Sequence, residues 1–272
     1  MRAEFEKAGL PAFVREREAM LALRQLAEHA ELMRRTHRES GTERFPEPKQ
    51  GISGFLDEAQ SLELLAAAGL PVVEHRFCRT EGEARDAFAA LGPKVVLKAC
   101  SASVPHKTEL GLVRLGLQSE SQVLDAFREL KSRIPQADGV LVARHTAGLR
   151  ELALGARVDP SFGPVVLVGD GGIYLEALKD FQLLLPPFTE REALAALERL
   201  RIAPLLSGAR GQPGLDVGAF ASMAVRLGDA MLAWEGRVAS FDVNPVMVFG
   251  QGDGAVAVDA LAEAGQACGK LT

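Results

Sequence analysis

VVLKACSASVPHKTELGLV, residues Val95 to Val113, is the stretch from which the rest of the chain can be read. The apolar run Val95-Val96-Leu97 predicts a strand that ends on Lys98. A polar loop with Pro105 then carries His106, Lys107, Thr108 and Glu109, and apolar residues resume at Leu112. Strand, charged loop and strand together hold a lysine rigidly and a histidine loosely over one ligand, and loops on rigid scaffolds are where chemistry concentrates. A lysine closing an apolar strand lays its stem along apolar surface and brings its ammonium to an anion. That anion is either a phosphate, met as a point charge, or a neighbouring carboxylate. The local sequence does not choose between them. An imidazole in such a loop can accept a phosphoryl group and split one transfer into two steps, provided a carboxylate fixes its tautomer. The plain alternative is an exposed loop histidine. His29, His37, His75 and His145 have no such setting and read as surface or core histidines.

On either side of this stretch the pattern alternates helices and strands. A helix is predicted from Leu56 to Ala68, stopped by Gly69 and Pro71, and a strand over Pro71–Phe77. Thr80-Glu81-Gly82-Glu83 is a capping box that opens a helix to Leu91. After strands over Val95–Lys98 and Leu112–Leu117, Ser119 caps a helix to about Ile134, and Gly139–Arg144 is a strand. In Arg150–Val158 the residues Leu152, Leu154, Ala156 and Val158 share one face of a strand, Glu151 and Arg157 the other. Pro164–Val168 is a strand ending in Gly169-Asp170-Gly171-Gly172, whose backbone N–H groups could meet a phosphate or simply turn the chain. Helices follow over Glu190–Arg201 and Val217–Trp234. Strands over Val238–Asn244 and Ala255–Asp259 are joined through Gly250–Gly254 as a hairpin. This is an α/β or α+β pattern.

The hairpin collects a second set of polar groups. Asp242 and Asn244 point to one face of their strand, and folding at about Gly252 brings Asn244 opposite Asp259. Carboxylates and carboxamides suit a hard cation, and Mg²⁺ typically takes one or two of them together with phosphate oxygens. A solvated sheet face with an Asn-Pro turn is the competing explanation. Asp242 is the carboxylate available to His106.

Composition narrows the classes of function. The chain has 272 residues, a net charge of −5 and no dense Lys/Arg block, so a nucleic-acid footprint is not indicated. No apolar run is long enough to suggest a membrane span, and the first ten residues lack the apolar segment of a secretory signal. Cys78, Cys100 and Cys268 are few and scattered, which fits a reducing, cytoplasmic setting better than a disulfide framework or a zinc site. Residues 1–49 carry 10 Lys/Arg and 9 Asp/Glu. Within them Glu16–Arg35 reads as an amphipathic helix, and His37–Gly51 reads as a polar, Pro/Gly-rich linker.

Order and spacing match one family. VVLKACSASVPHKTELGLV, RELALGARVDPSFGPVVLVGDGGIYLEALKD, APLLSGARGQPGLD and FDVNPVMVF with AVAVDA run collinearly from Gly51 to about Glu263. Together they resemble the ATP-grasp domain of the NDP-forming acyl-CoA synthetases, that is, the β part of acetyl-CoA synthetase (ADP-forming), which is related to the succinyl-CoA synthetase β subunit. Leu10–Arg35 also resembles the closing segment of the CoA-ligase half in fused members. The resemblance implies an ATP-grasp fold whose two lobes, 50–138 and 139–272, clasp a nucleotide, preceded by an N-terminal helical arm over 1–49. It implies ATP/ADP and Mg²⁺ as cofactors, and a CoA-binding half as partner. Under it Lys98 contacts nucleotide phosphates, with Lys107, Glu151, Gly171 and Gly172 also on the nucleotide. His106 relays a phosphoryl group, Asp242 steadies it, and Asn244 and Asp259 hold the metal. The implied reaction interconverts acyl-CoA, ADP and phosphate with acid, CoA and ATP, and a chain lacking the CoA-binding half performs the nucleotide half-reaction only. Two positions depart from the family pattern. Leu112 stands where a glycine is usual, adding bulk near the phosphates, and Leu184 stands where an arginine is usual, losing an anion contact; the hinge segment Ala143-Arg144-His145 is also atypical. Leu112 and Leu184 favour the alternative of a non-catalytic regulatory domain, as in a fused protein acetyltransferase.

Overall fold

The computed structural model describes residues 13, 15–35, 45–46, 54–101, 111–134, 137–172, 180–208, 213–234 and 236–265. The chain divides into two units, Met1–Glu43 and Arg44–Thr272. In the first, α1 spans Glu16–Arg35 with Glu16 and Glu18 in its opening turn, where carboxylates suit the helix dipole. Its apolar Met20, Leu21, Leu23 and Leu26 are exposed. No helix among the described residues is long and apolar enough to cross a membrane.

The second unit holds two antiparallel sheets. Its elements are α2 (Glu58–Ala67), β1 (His75–Cys78), α3 (Glu81–Leu91), β2 (Val95–Cys100), β3 (Val113–Leu117), α4 (Glu120–Arg133) and β4 (Gly139–Arg144). They continue with β5 (Arg150–Asp159), β6 (Gly163–Asp170), β7 (Phe181–Leu184), α5 (Glu190–Leu197), α6 (Ala203–Leu206), α7 (Val217–Ala233), β8 (Val238–Val248), β9 (Ala255–Ala257) and β10 (Leu261–Ala264). The first sheet runs β1-β4-β2-β3. The second runs β10-β8-β5-β6-β7, with β9 also paired to β8.

Local chemistry sets the helix starts. Thr80 and Thr189 each accept from the N–H three residues on, while Glu83 and Glu192 reach back to the cap. Asp57 and Gln60 form a third such box at α2. The first sheet separates two cores. Val95, Leu97 and Ala99 of β2 pack with α3 and α4 in the smaller core, whereas Cys100 and Leu141 join the larger core with α2, α5, α7 and the second sheet. Strand alternation therefore sends Lys98, in register with Leu141, to the side of the larger core. The stretch predicted as one strand over Pro71–Phe77 is divided. Ala257 N–H donates to Pro71 O and Val73 N–H to Ala257 O, which ties this segment to β9, and pairing in the first sheet begins only at His75.

Two described residues of the predicted linker, Phe45 and Pro46, belong to the second unit, where Phe45 packs against the larger core. The Trp234 indole N–H donates to Pro46 O at 2.7 Å. Phe45 meets Trp234 edge-on at 6.4 Å and lies under the Arg226 guanidinium at 5.0 Å.

Asp216 joins the start of α7 to the hairpin loop. Its Oδ1 accepts from Ala219 N–H, and its Oδ2 from Gly252 and Gly254 N–H. The bond from Ala219 above all, with those from Gly254 and Gly252, outweighs partial burial and holds the carboxyl below its ordinary value of 3.8. Asp216→Ala is expected to lose about 1–2 kcal/mol at pH 7. A depressed folded-state pKa contributes stability above the unfolded value and loses it as pH falls through the folded one. The gap between wild type and variant in urea unfolding should therefore hold at neutral pH and shrink below about pH 4.

Candidate functional site

The strand does not end on Lys98 as predicted: β2 runs on through Ala99 to Cys100 and is buried throughout, so Lys98 sits inside it with a residue exposure of only 7%. Its Nζ donates to Glu58 Oε1 at 2.6 Å, Asp259 Oδ2 at 2.9 Å and Val258 O at 3.0 Å. Burial alone would lower the pKa of this ammonium. Glu58 first and Asp259 second more than offset that, so it stands above the ordinary lysine value. Local sequence left phosphate and carboxylate open as the anion for Lys98; here two carboxylates take it. Glu58, the first residue of α2, was not legible as part of the site. The signal that could have found it is a rule of charge: a buried ammonium requires a buried counter-charge.

Asp259 lies between β9 and β10, so the bond to Lys98 joins the two sheets. Val246 faces Ala257, and Asp242 faces Leu261. The same antiparallel register on both flanks sets Asn244 across from Asp259, with Val258 N–H bonded to Pro245 O between them. Asp242 is exposed between buried Phe241 and Val243, on the same strand face as Asn244.

The end of β6 closes against the start of β5. Gly171 N–H donates to Glu151 O at 3.1 Å and Gly172 N–H to Asn244 Oδ1 at 2.9 Å. Of the donors offered by the sequence to a phosphate, those of Asp170, Gly171 and Gly172 are thus engaged within the chain, the first with Asp180 O. What the glycines supply is close approach. A Cβ at Gly171 would sit 2.5 Å from the Leu152 carbonyl carbon, and one at Gly172 would sit 2.3 Å from Glu151 Oε2, at a φ of +69°. Glu151, exposed, is thereby set beside Gly172 and Asn244. An ion pair that sequence reading also missed, Arg150 Nη2 to Asp170 Oδ1 at 2.7 Å, braces the same strand ends.

Lys98, Glu151, Gly171, Gly172, Asn244 and Asp259 thus form one connected set, with Asp242 two residues from Asn244. His106 and Lys107 lie outside the described residues. Among the described residues no three His, Cys, Asp or Glu side chains gather as a metal cluster. Asn244 and Asp259 do not fit zinc, which wants three or four protein ligands. They fit magnesium, which takes few protein oxygens and completes its shell from phosphate and water.

The two departures turn away from this set. Leu112 is 3% exposed in the smaller core, drawn there as its carbonyl accepts from Ala99 N–H. The bulk expected near the phosphates is therefore core packing. Leu184 faces Val166 and packs on the larger core.

Residues 49–263 match the ATP-grasp domain family. The chain is 34% identical over 262 residues to a trans-feruloyl-CoA synthase from an unknown prokaryotic organism, covering 94% of this chain and 36% of that protein. It is 34% identical over 211 residues to the beta subunit of acetate–CoA ligase (ADP-forming) I of Pyrococcus furiosus, covering 75% of this chain and 90% of the subunit. It thus spans about a third of the synthase and nearly the whole subunit. Among solved structures it is similar to a Candidatus Korarchaeum cryptofilum dinucleotide-forming acetyl-coenzyme A synthetase in complex with coenzyme A and Mg-AMPPCP, whose phosphohistidine segment points towards the nucleotide-binding site. The TM-score is 0.69 at 31% identity, covering 79% of this chain and 94% of that one.

Proposed function

This chain belongs to the ATP-grasp domain family, and we propose that it is the nucleotide-binding, phosphoryl-transferring module of an ADP-forming acyl-CoA synthetase. The observation that carries the reading is the meeting of Lys98 from one sheet with Asp259 from the other, across from Asn244. An ammonium and hard oxygen donors gathered in one place are what a magnesium polyphosphate requires. The lobes are those built on the two sheets, with the boundary after β4 at Arg144 rather than before it at 139, because β4 pairs with β1 and β2 in the first sheet; the nucleotide lies between them. Magnesium, held by Asn244 and Asp259, supplies neutralisation of the phosphate charge. Lys98 and Lys107 orient the phosphates, and Glu151 with the Gly171-Gly172 turn shapes the adjoining wall. His106 accepts the γ-phosphoryl group, and Asp242 fixes its tautomer. The similar acetyl-coenzyme A synthetase in complex with Mg-AMPPCP, its phosphohistidine segment pointing towards the nucleotide-binding site, supports this order of events.

The partner on this reading is a CoA-binding half, either a separate subunit or an upstream part of one chain. The beta subunit of Pyrococcus furiosus and the longer feruloyl-CoA synthase exemplify the two arrangements. The setting is the cytoplasm, where nucleotide is abundant and thiols such as buried Cys78 and Cys100 stay reduced. The regulatory alternative rested on Leu112 and Leu184, and both side chains serve the cores.

Calorimetric titration tests the reading. ADP is expected to bind, and to bind at least about tenfold more tightly with Mg²⁺ than with a chelator. No heat from ADP or ATP at millimolar concentration with Mg²⁺ present would sink it.

A further inference from the structure

Resting on the nucleotide reading above, we propose that the two carboxylates on Lys98 have unequal parts: Glu58 is a fixed positioning residue, and Asp259 is an exchangeable partner that stands in for the polyphosphate. An ammonium has three donors, and all three are used, by Glu58, Asp259 and Val258 O. A phosphate oxygen can therefore reach Lys98 only by displacing one of them.

Val258 O is a backbone acceptor held in place by the Val258 N–H bond to Pro245 O, and between the two carboxylates the surroundings say which yields. The Glu58 side chain is 1% exposed, whereas that of Asp259 is 35% exposed. Glu58 also sits at the N-terminal end of α2, where the helix dipole favours a carboxylate. Stripping a buried carboxylate of its cation is strongly unfavourable. Asp259 leaves at lower cost, because water or a cation can take its oxygens. The Lys98–Glu58 pair then stays in place and turns its freed donor to the phosphate. Metal and nucleotide are coupled through this exchange. A cation that draws off Asp259 releases a donor for phosphate, and phosphate on Lys98 releases Asp259 for the cation. By linkage the two effects are equal.

The two carboxylates should give opposite signatures, which a merely structural role would not. In Asp259→Asn the competitor for the ammonium is weakened, so ADP measured with a chelator should bind about tenfold tighter than to wild type. The gain from adding Mg²⁺ should largely vanish. In Glu58→Gln the ammonium is left to Asp259, so ADP without metal should bind about tenfold more weakly, with the Mg²⁺ dependence retained or steepened.

The test is calorimetric titration of the 272-residue chain and both variants with ADP, in EDTA and in Mg²⁺, with thermal unfolding recorded alongside. Tighter metal-free binding in Asp259→Asn supports the exchange. Unchanged or weaker metal-free binding there overturns it, whether or not Glu58→Gln folds. A wild-type chain that binds Mg·ADP while Asp259→Asn fails this test sinks the exchange alone. A wild-type chain that does not bind ADP at all sinks the nucleotide reading beneath it.

Discussion

Lys98→Met is expected to weaken Mg·ADP binding by about a hundredfold or more and to destabilise the folded unit by about 3–5 kcal/mol. The binding loss follows because methionine keeps the apolar stem but has no donor for a phosphate. The stability loss follows from what remains: the Glu58 carboxyl, with 1% side-chain exposure, loses the ammonium at 2.6 Å. Asp259 loses the same partner, but at 35% exposure water can replace it, so its share is small. Adding Glu58→Gln to Lys98→Met replaces that buried carboxyl with a neutral amide and should return most of the stability without returning any binding. Urea unfolding and calorimetry on the two variants separate these effects. Near-native Mg·ADP affinity in Lys98→Met would remove the lysine from the site. A double variant as unstable as the single one would show that the buried pair is not the source of the loss.

How far this site was legible depends on distance along the chain. The capping boxes at Thr80 and Thr189 need only four consecutive residues, and both stand where the sequence puts them. The hairpin is nearly as local. Turning at Gly252 sets Asn244 opposite Asp259 by counting alone, and the register agrees on both flanks. The partner of Lys98 is another matter. Glu58 is 40 residues away and Asp259 is 161, so no window around Lys98 contains either. Strands β7 and β10 went unpredicted for a related reason. Each has four residues, and what makes them strands is a neighbour, β6 or β8, that supplies the missing hydrogen bonds. Leu112 and Leu184 show the converse. Compared with a family pattern they read as losses at a ligand site, yet the direction of a side chain is settled by the sheet, and both turn into a core. Gly171 and Gly172 were recognised as special, but for their donors. Their use here is to let the chain leaving β6 pass close over the β5 backbone at Gly171 and take a positive φ at Gly172.

His106→Asn should abolish covalent labelling by ATP labelled in its γ-phosphate. In the proposed step an imidazole nitrogen attacks the γ-phosphorus, the new N–P bond forms, the bond from that phosphorus to the β,γ-bridging oxygen breaks, and ADP leaves with the electron pair. The proton on the other ring nitrogen is held by a carboxylate, so the ring stays oriented and its growing positive charge is balanced. Asp242 is the candidate, exposed on the strand face that also carries Asn244. The product is a phosphoramidate, so the label should be lost in acid and survive alkali, unlike a phosphoserine. Asparagine has about the volume of imidazole and one carbonyl acceptor, but no nitrogen nucleophile, so no slow residual transfer is expected. Asp242→Asn should leave ADP binding intact and slow labelling by about a hundredfold, because the ring remains but its tautomer is no longer enforced. His75 and His145 serve as controls: His75 Nδ1 lies 2.9 Å from Val73 O, a backbone contact, and neither residue belongs to the connected set, so replacing either should leave the label unchanged. Alkali-stable label persisting in His106→Asn would move the acceptor elsewhere. A wild-type chain that binds Mg·ATP yet takes no label, alone or with a CoA-binding half added, would leave a nucleotide sensor in place of a phosphoryl relay.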